Sequence, residues 1–440
     1  MKSLGIFLLC SGTFVLAAAL HNNKIQQSAT PIQPLTQSTR LPDSPRYWKG
    51  NLHTHSLWSD GDDFPEMITD WYKNHDYNFL ALSEHNVIAE GEKWVDATST
   101  ATRNVALQKY VDRFGTRWVE QRVRGGQNQV RLKPLAEFRS LLEEPGRFLM
   151  IPAEEITHSY GKRPIHINGI NLRDTIQPLD GLNAIETVTV NLRQVSDQSR
   201  KTNRAMIAFL NHPNFGWGLR AEEMLITPEL KFFEVYNGHP GVRNYGDTDH
   251  ASCERVWDIT LALRLGQHGL PIVYGLATDD AHGYHEYGIG KVNPGRGWVM
   301  VKSSHLTAES IVKSLEKGEF YSSTGVQLDE VARQGDTIQL KIRGEPGVTY
   351  KTQFISTLKG TNLLATPKTV KDSTGKEEPV TGDYSPEIGK VIAESNDLRP
   401  MYKLTGDELY VRAKVISSKP HPNPYAKGDV EVAWTQPIVP

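Results

Sequence analysis

Short apolar runs that stop abruptly at polar, ligand-type residues recur along this chain. "FLALSEHN", "FLMIPAEEIT", "PIHINGINL", "AMIAFLNHPN", "FFEVYNG" and "IVYGLATDDAH" all have this form. Each reads as a buried strand with its chemistry at the C-terminal end, and helix-like stretches such as "FPEMITDWYKNH" and "CERVWDITLALRLGQHG" separate several of them. Such alternation predicts an α/β fold with a parallel sheet. It also places any active site where the strands end.

The other segments divide the 440 residues. Residues 1–19, "MKSLGIFLLCSGTFVLAAA", carry one lysine, an apolar run and small residues at Ala17 and Ala19, the pattern of a secretory signal peptide. Leu9 before Cys10 is too large for a lipid-modified cysteine. Residues 20–47 are rich in Gln, Thr, Ser and Pro and read as a flexible linker. Residues 48–327 hold the α/β pattern, interrupted at 97–147 by a charged insertion, "RNVALQKYVDRFGTRWVEQRVRGG", that reads as helical. From residue 328 to 440 the apolar positions alternate, as in "DTIQLKIRG" and "ELYVRAKVISS", predicting a small antiparallel β-sandwich.

Charge and cysteine content narrow the function classes. A net charge of −2 gives no general attraction to polyanions, so no nucleic-acid partner is expected. Leader removal leaves Cys253 as the only cysteine, so no intramolecular disulfide is expected, nor any membrane span in the mature chain. The expected location is periplasmic or extracellular. No nucleophile elbow, Walker loop or dinucleotide fingerprint is present; "GIGKVNPGRG" lacks the strand–loop–helix context and reads as a loop.

Chemistry concentrates in imidazoles and carboxylates instead. "NLHTHSLWSDG" supplies His53, His55 and Asp60, and side chains two apart on an extended chain face one way. "LSEHN" adds His85; "PAEEITHSYGKRPIHING" adds Glu155 and His166; "FLNHPNFGWG" adds His212; "GLATDDAHGY" adds Asp280 and His282. Six imidazoles with three carboxylates suit two or three divalent Zn, Mn or Fe ions and are poor for calcium. Glu154 competes with Glu155, and Asp279 with Asp280, although Asp279 should face away from His282. His75, His268, His305 and His421 read as structural; His158, His239, His250 and His285 fall in loops near the expected rim. Lys162, Arg163 and Arg243 are candidates to grip a phosphate, while Trp217 and Tyr284 would suit an apolar pocket.

In this order, "HTHSLWSDG", "SEHN", "PAEEIT", "HINGI", "NHPN" and "DDAHG" resemble the motifs of the polymerase-and-histidinol-phosphatase (PHP) family of metal-dependent phosphoesterases. The C-terminal β part is similar to that of secreted members. The resemblance implies a distorted (β/α)7 barrel. It implies one ion held by His53, His55, Glu155 and Asp280, a second by Glu155, His166 and His212, and a third by Asp60, His85 and His282. Glu155, Asp280 and His282 would be catalytic. The family motif of glutamate, aliphatic and small hydroxyl favours Glu155 over Glu154. Glu84 departs from it, because aspartate commonly precedes the second-motif histidine; Glu84 is expected to orient a ligand imidazole or to bind nothing. The implied reaction is hydrolysis of a small phosphorylated molecule, a phosphomonoester or small phosphodiester, by a metal-activated hydroxide. Secreted relatives that cleave carbamates or amides offer a second reading, and a non-catalytic metal- or ligand-binding module a third.

Overall fold

The computed structural model describes residues 44–372 and 374–440. The expected signal peptide and most of the linker lie outside the described residues. Thirteen strands make up the main sheet. In chain order they are β1 (Arg46–Asn51), β2 (Phe79–His85), β3 (Leu149–Tyr160), β4 (Arg163–Ile170), β5 (Ile207–Leu210), β6 (Phe232–Asn237) and β7 (Tyr274–Thr278). There follow β8 (Trp298–Ser303), β9 (Phe320–Ser323), β10 (Tyr350–Leu358), β11 (Lys390–Ser395), β12 (Glu408–Pro420) and β13 (Val430–Thr435).

The first seven strands lie side by side in chain order. β1, β2 and β3 are parallel, as are β5, β6 and β7. β4 runs antiparallel to both its neighbours, which departs from the expected parallel sheet. The reason is local: "YGKR" turns the chain back at once, with Gly161 at φ 59°, and leaves no room for a crossover helix. The two ends of the seven-strand run meet at a single bridge, Thr54 with Ala281, where the His55 N–H donates to Ala281 O (3.0 Å) and the Asp280 N–H to His53 O (3.0 Å). A mixed seven-strand layer is thus joined end to end by one bridge.

Helices cover the outer face. α1 (Pro65–Asn74) starts with proline at its first turn and buries Ile68 and Tyr72. α2 (Ala184–Thr202) is capped by Asn183, whose side chain accepts from the Glu186 N–H, and it ends at left-handed Asn203. α3 (Cys253–Leu263) is capped by Ser252 and buries Trp257, with Cys253 fully buried at its start. The 97–147 insertion is only partly helical. Helix Ala101–Phe114 is followed by strands Gln121–Arg124 and Gln127–Leu132, because Gly125 and Gly126 both take positive φ and close a two-residue hairpin.

Alternation along the strands decides what faces inward. Phe79 and Ala81 of β2, Ile151 and Ala153 of β3, Ile170 of β4, Phe209 of β5, Phe232 of β6 and Leu276 of β7 share one buried cluster. Leu80, Leu82 and Met150 belong to a second cluster, while Ile156, Ile165 and Ile167 pack with α2 and α3 in a third. With a period of two, the inward positions beyond the apolar layer are His85, Glu155, Asn168, His166, Glu234 and Thr278. The sheet thus places a hydrophobic floor beneath a polar layer.

The C-terminal strands pair antiparallel throughout. β9 pairs with β13, so the main sheet runs on without a break past residue 327. A three-stranded sheet (Leu328–Gln334, Thr337–Ile342, Met401–Lys403) packs on β10 and β12 through Leu328, Leu340, Phe354 and Val415. Among the described residues no helix is long and apolar enough to cross a membrane.

Candidate metal centre

β1 ends at Asn51, whose side chain accepts the His53 N–H (2.9 Å) and so bends the chain toward the strand ends. His53 and His55 flank the bridged Thr54 on one side, and both are fully buried. His53 Nε2 lies 3.4 Å from Glu155 Oε2 and 3.2 Å from Asp280 Oδ1; His55 Nε2 lies 3.2 Å and 3.3 Å from the same two oxygens. His166 Nδ1 is 3.0 Å and His212 Nε2 3.5 Å from Glu155 Oε1. Asp60 closes the open side: His85 Nε2 is 3.4 Å from Oδ2 and His282 Nε2 3.3 Å from Oδ1. Asp60 is 54% exposed where Glu155 is 1%, so solvent reaches the cluster from the Asp60 side.

All nine residues singled out in the sequence therefore meet. Their ligand atoms fall into four overlapping groups: His55, Asp60, His85, His282; His53, His55, Glu155; His53, His212, Asp280; and His85, Glu155, His166. The groups cut across the implied partition: His212 joins His53 and Asp280, His85 joins Glu155 and His166, and His55 joins Asp60, His85 and His282. Asp280 stands at φ 49°, in left-handed backbone that a non-glycine residue adopts only under constraint.

The fit to a cation rests on atoms with nothing else to do. His53 Nε2, His55 Nε2 and Glu155 Oε2 are buried without a hydrogen-bond partner, and all three converge on one point. Orphaned buried polar atoms are costly and demand an explanation. Electrostatics agree. Burial works against ionisation of Glu155, yet His53 and His166 hold its carboxyl well below the usual range. Burial likewise opposes charge at Asp280, and His53 and His55 outweigh it. Burial opposes a charged His85, but the Asp60 and Glu155 carboxylates beside it raise it to about 10. Such a set binds protons tightly when nothing else neutralises it, as a cation would.

The paired alternatives separate cleanly. The Glu154 carboxylate points away and accepts the Ile176 N–H (2.8 Å), with burial pushing it up to about 7. Asp279 accepts from Tyr72 OH and the N–H groups of Gly295, Arg296 and Gly297, fixing a loop instead. Glu84 receives Ser56 Oγ and Ser59 Oγ, each at 2.5 Å, and Ser59 Oγ lies 3.3 Å from His55 Nδ1, so it braces a ligand-type imidazole through a serine.

The rim candidates scatter. His158 pairs with Asp180 (2.8 Å), His285 sits against Asp62 and Asp63, and His250 stacks on Trp217 with centroids 3.7 Å apart. His239 alone approaches the cluster, its ring centroid 5.5 Å from that of His282, with burial lowering its pKa to about 4. Of the proposed phosphate grips, Arg163 is engaged by Glu223 (2.9 Å), Arg243 lies over the Trp217 ring, and Lys162 is exposed. Tyr284 is buried, its one hydroxyl hydrogen shared between His55 O (3.2 Å) and Ala281 O (3.1 Å). Phe215 does stand beside the cluster, 5.1 Å from the His212 ring.

Sequence reasoning missed two braces. Glu234, fully buried on β6, places Oε1 2.7 Å from His53 Nδ1. Asn211 donates to Glu155 Oε1 (2.8 Å) and to Asn168. The signal for Glu234 was the lone carboxylate in "FFEVYNG", at an inward position by strand alternation.

No family model matches the chain, and no curated protein matches it. Solved structures similar to this chain include a crystal structure. It is that of a two-domain protein from Bacteroides vulgatus containing a predicted PHP-like metal-dependent phosphoesterase, 14% identical, with 91% of this chain and 98% of that one covered at a TM-score of 0.36. A likeness so loose carries no weight for the chemistry of the cluster.

Proposed function

We propose that this chain is an exported metal-dependent hydrolase, a PHP-type phosphoesterase acting on a small phosphomonoester or phosphodiester. The observation that supports it is the convergence of His53 Nε2, His55 Nε2 and Glu155 Oε2, buried and without partners, inside a ring of six further ligand-type side chains. The overlapping groups His53, His55 and Glu155; His53, His212 and Asp280; His85, Glu155 and His166; and His55, Asp60, His85 and His282 would between them hold two or three ions. Such ions, when bound, acidify water and polarise phosphoryl oxygens. The chain's own part is to fix the ligands through Glu84, Asn211 and Asn51, and to admit substrate past exposed Asp60. Export rests on the leader pattern of residues 1–19 alone.

The carbamate or amide reading keeps its place for one reason. Arg163 is already paired with Glu223 and Arg243 lies over Trp217, so the rim offers an anion less than its sequence suggested. Purified protein assayed on p-nitrophenyl phosphate, bis-p-nitrophenyl phosphate and an aryl carbamate, with zinc or manganese and then with chelator, separates the readings. Chelator-sensitive phosphate release is expected; turnover of the carbamate alone would move the assignment to that class, and no turnover by metal-loaded protein would favour a binding module. Asp280→Ala should lose metal and activity together, measured by elemental analysis beside the assay.

A further inference from the structure

Glu234 makes more contacts than a filler of the sheet interior requires. Its Oε1 faces His53 Nδ1 (2.7 Å) and accepts Thr278 Oγ1–H (2.7 Å). Its Oε2 accepts the backbone N–H of His212 (2.8 Å) and Asn237 Nδ2–H (2.8 Å), and Asn237 Nδ2 also reaches Asp280 Oδ2 (3.1 Å). One carboxylate thus ties together His53, the backbone at His212 and, through Asn237, Asp280.

We infer that Glu234 is a positioning residue that fixes the proton of His53 on Nδ1 and so turns the Nε2 lone pair toward the cation shared with Glu155 and Asp280. The inference rests on the metal-dependent reading above. Its argument is one of donors and acceptors. A carboxylate can only accept, so the imidazole nitrogen 2.7 Å from it must donate. The other ring nitrogen is the one left without a partner inside the cluster. Glutamine would undo this. With its NH2 toward His53 the imidazole would have to accept at Nδ1 and carry its proton on Nε2. Turned the other way, the NH2 would meet the His212 and Asn237 N–H donors.

The test uses the full chain, stripped by chelator and titrated with zinc alone against a chromophoric competitor. Wild type is expected to take up zinc, and Glu234→Gln to bind it about 10- to 100-fold more weakly, with near-UV circular dichroism retained. Equal affinity in a folded Glu234→Gln protein overturns the assignment, whereas no uptake by wild type overturns the metal reading itself. Because Glu234→Gln risks misfolding, ¹⁵N-imidazole NMR of zinc-loaded wild type provides a second answer. A His53 proton on Nδ1, close to Thr278, is expected; a proton on Nε2 would refute the proposal without any variant.

Discussion

Glu66 shows how a single buried carboxyl sets a pH dependence. It is fully buried on α1, and its Oε1 accepts from Tyr110 OH (2.6 Å) and Trp118 Nε1–H (3.1 Å) while Oε2 has no partner. Burial pushes its pKa from 4.5 up to about 7. The unfolded chain releases this proton near the ordinary value, whereas the folded chain keeps it, so the contribution is full below that value and is lost as pH rises through about 7. The loss should be roughly 3 kcal/mol. Denaturant titrations of wild type and Glu66→Gln from acid to mildly basic pH should diverge by that amount, since glutamine keeps the acceptor and removes the titration. Parallel curves would refute the burial argument. The same scale shows what the sequence made legible. His53, His55, Asp280 and His282 could be paired because spacing of two predicts a shared side. Glu234 and Asn211 could not, because their partners lie in other strands and only the fold brings them near.

At the scale of elements, the opening loop "HSLWSDG" depends on its glycine. Gly61 N–H donates to Ser56 O (2.9 Å), and a Cβ on Gly61 would lie 2.5 Å from His55 O and 2.7 Å from the Ser56 Cα. Those are backbone atoms of the segment that carries His55, and they cannot step aside as a flexible side chain would. Gly61→Ala should cost about 1–3 kcal/mol and displace Asp60 from His85 and His282, lowering zinc stoichiometry. Thermal midpoint and elemental analysis together check this; a variant unchanged in both would mean the loop is not held as described. Elsewhere, hydrophobic pattern located the strands but not their direction. β3 and β4 have the apolar runs of parallel strands, and the short "YGKR" turn overrode that reading. Gly125 and Gly126 likewise converted a charged, helix-like run into a hairpin, because two consecutive positive-φ residues close a two-residue turn and cannot continue a helix.

For the whole molecule, the question is whether the strands after residue 327 decorate the metal-binding layer or complete it. Their alternation was plain in the sequence, but their attachment was not, since it runs through side chains far apart in the chain. Arg412 on β12 is buried against Asp258 of α3, with Nε–Oδ1 2.8 Å and Nη2–Oδ2 2.6 Å, and Tyr410 OH donates to the same carboxylate (2.8 Å). Trp434 stacks on Tyr236 of β6, and the Gln436 amide bonds both the N–H and the carbonyl of Gly275 on β7. These contacts reach the strands that carry Glu234 and lead to Asp280. Removing one partner of a buried ion pair strands the other, so Asp258→Ala should cost about 3–5 kcal/mol, read from denaturant midpoints. A chain ending at residue 327 would expose Tyr236, Gly275 and the edge of β9 at once. It should be insoluble or bind a hydrophobic dye without native near-UV circular dichroism. A soluble truncation with a cooperative transition and undiminished zinc uptake would show that the layer closes without its C-terminal strands, and that Arg412 fastens an addition.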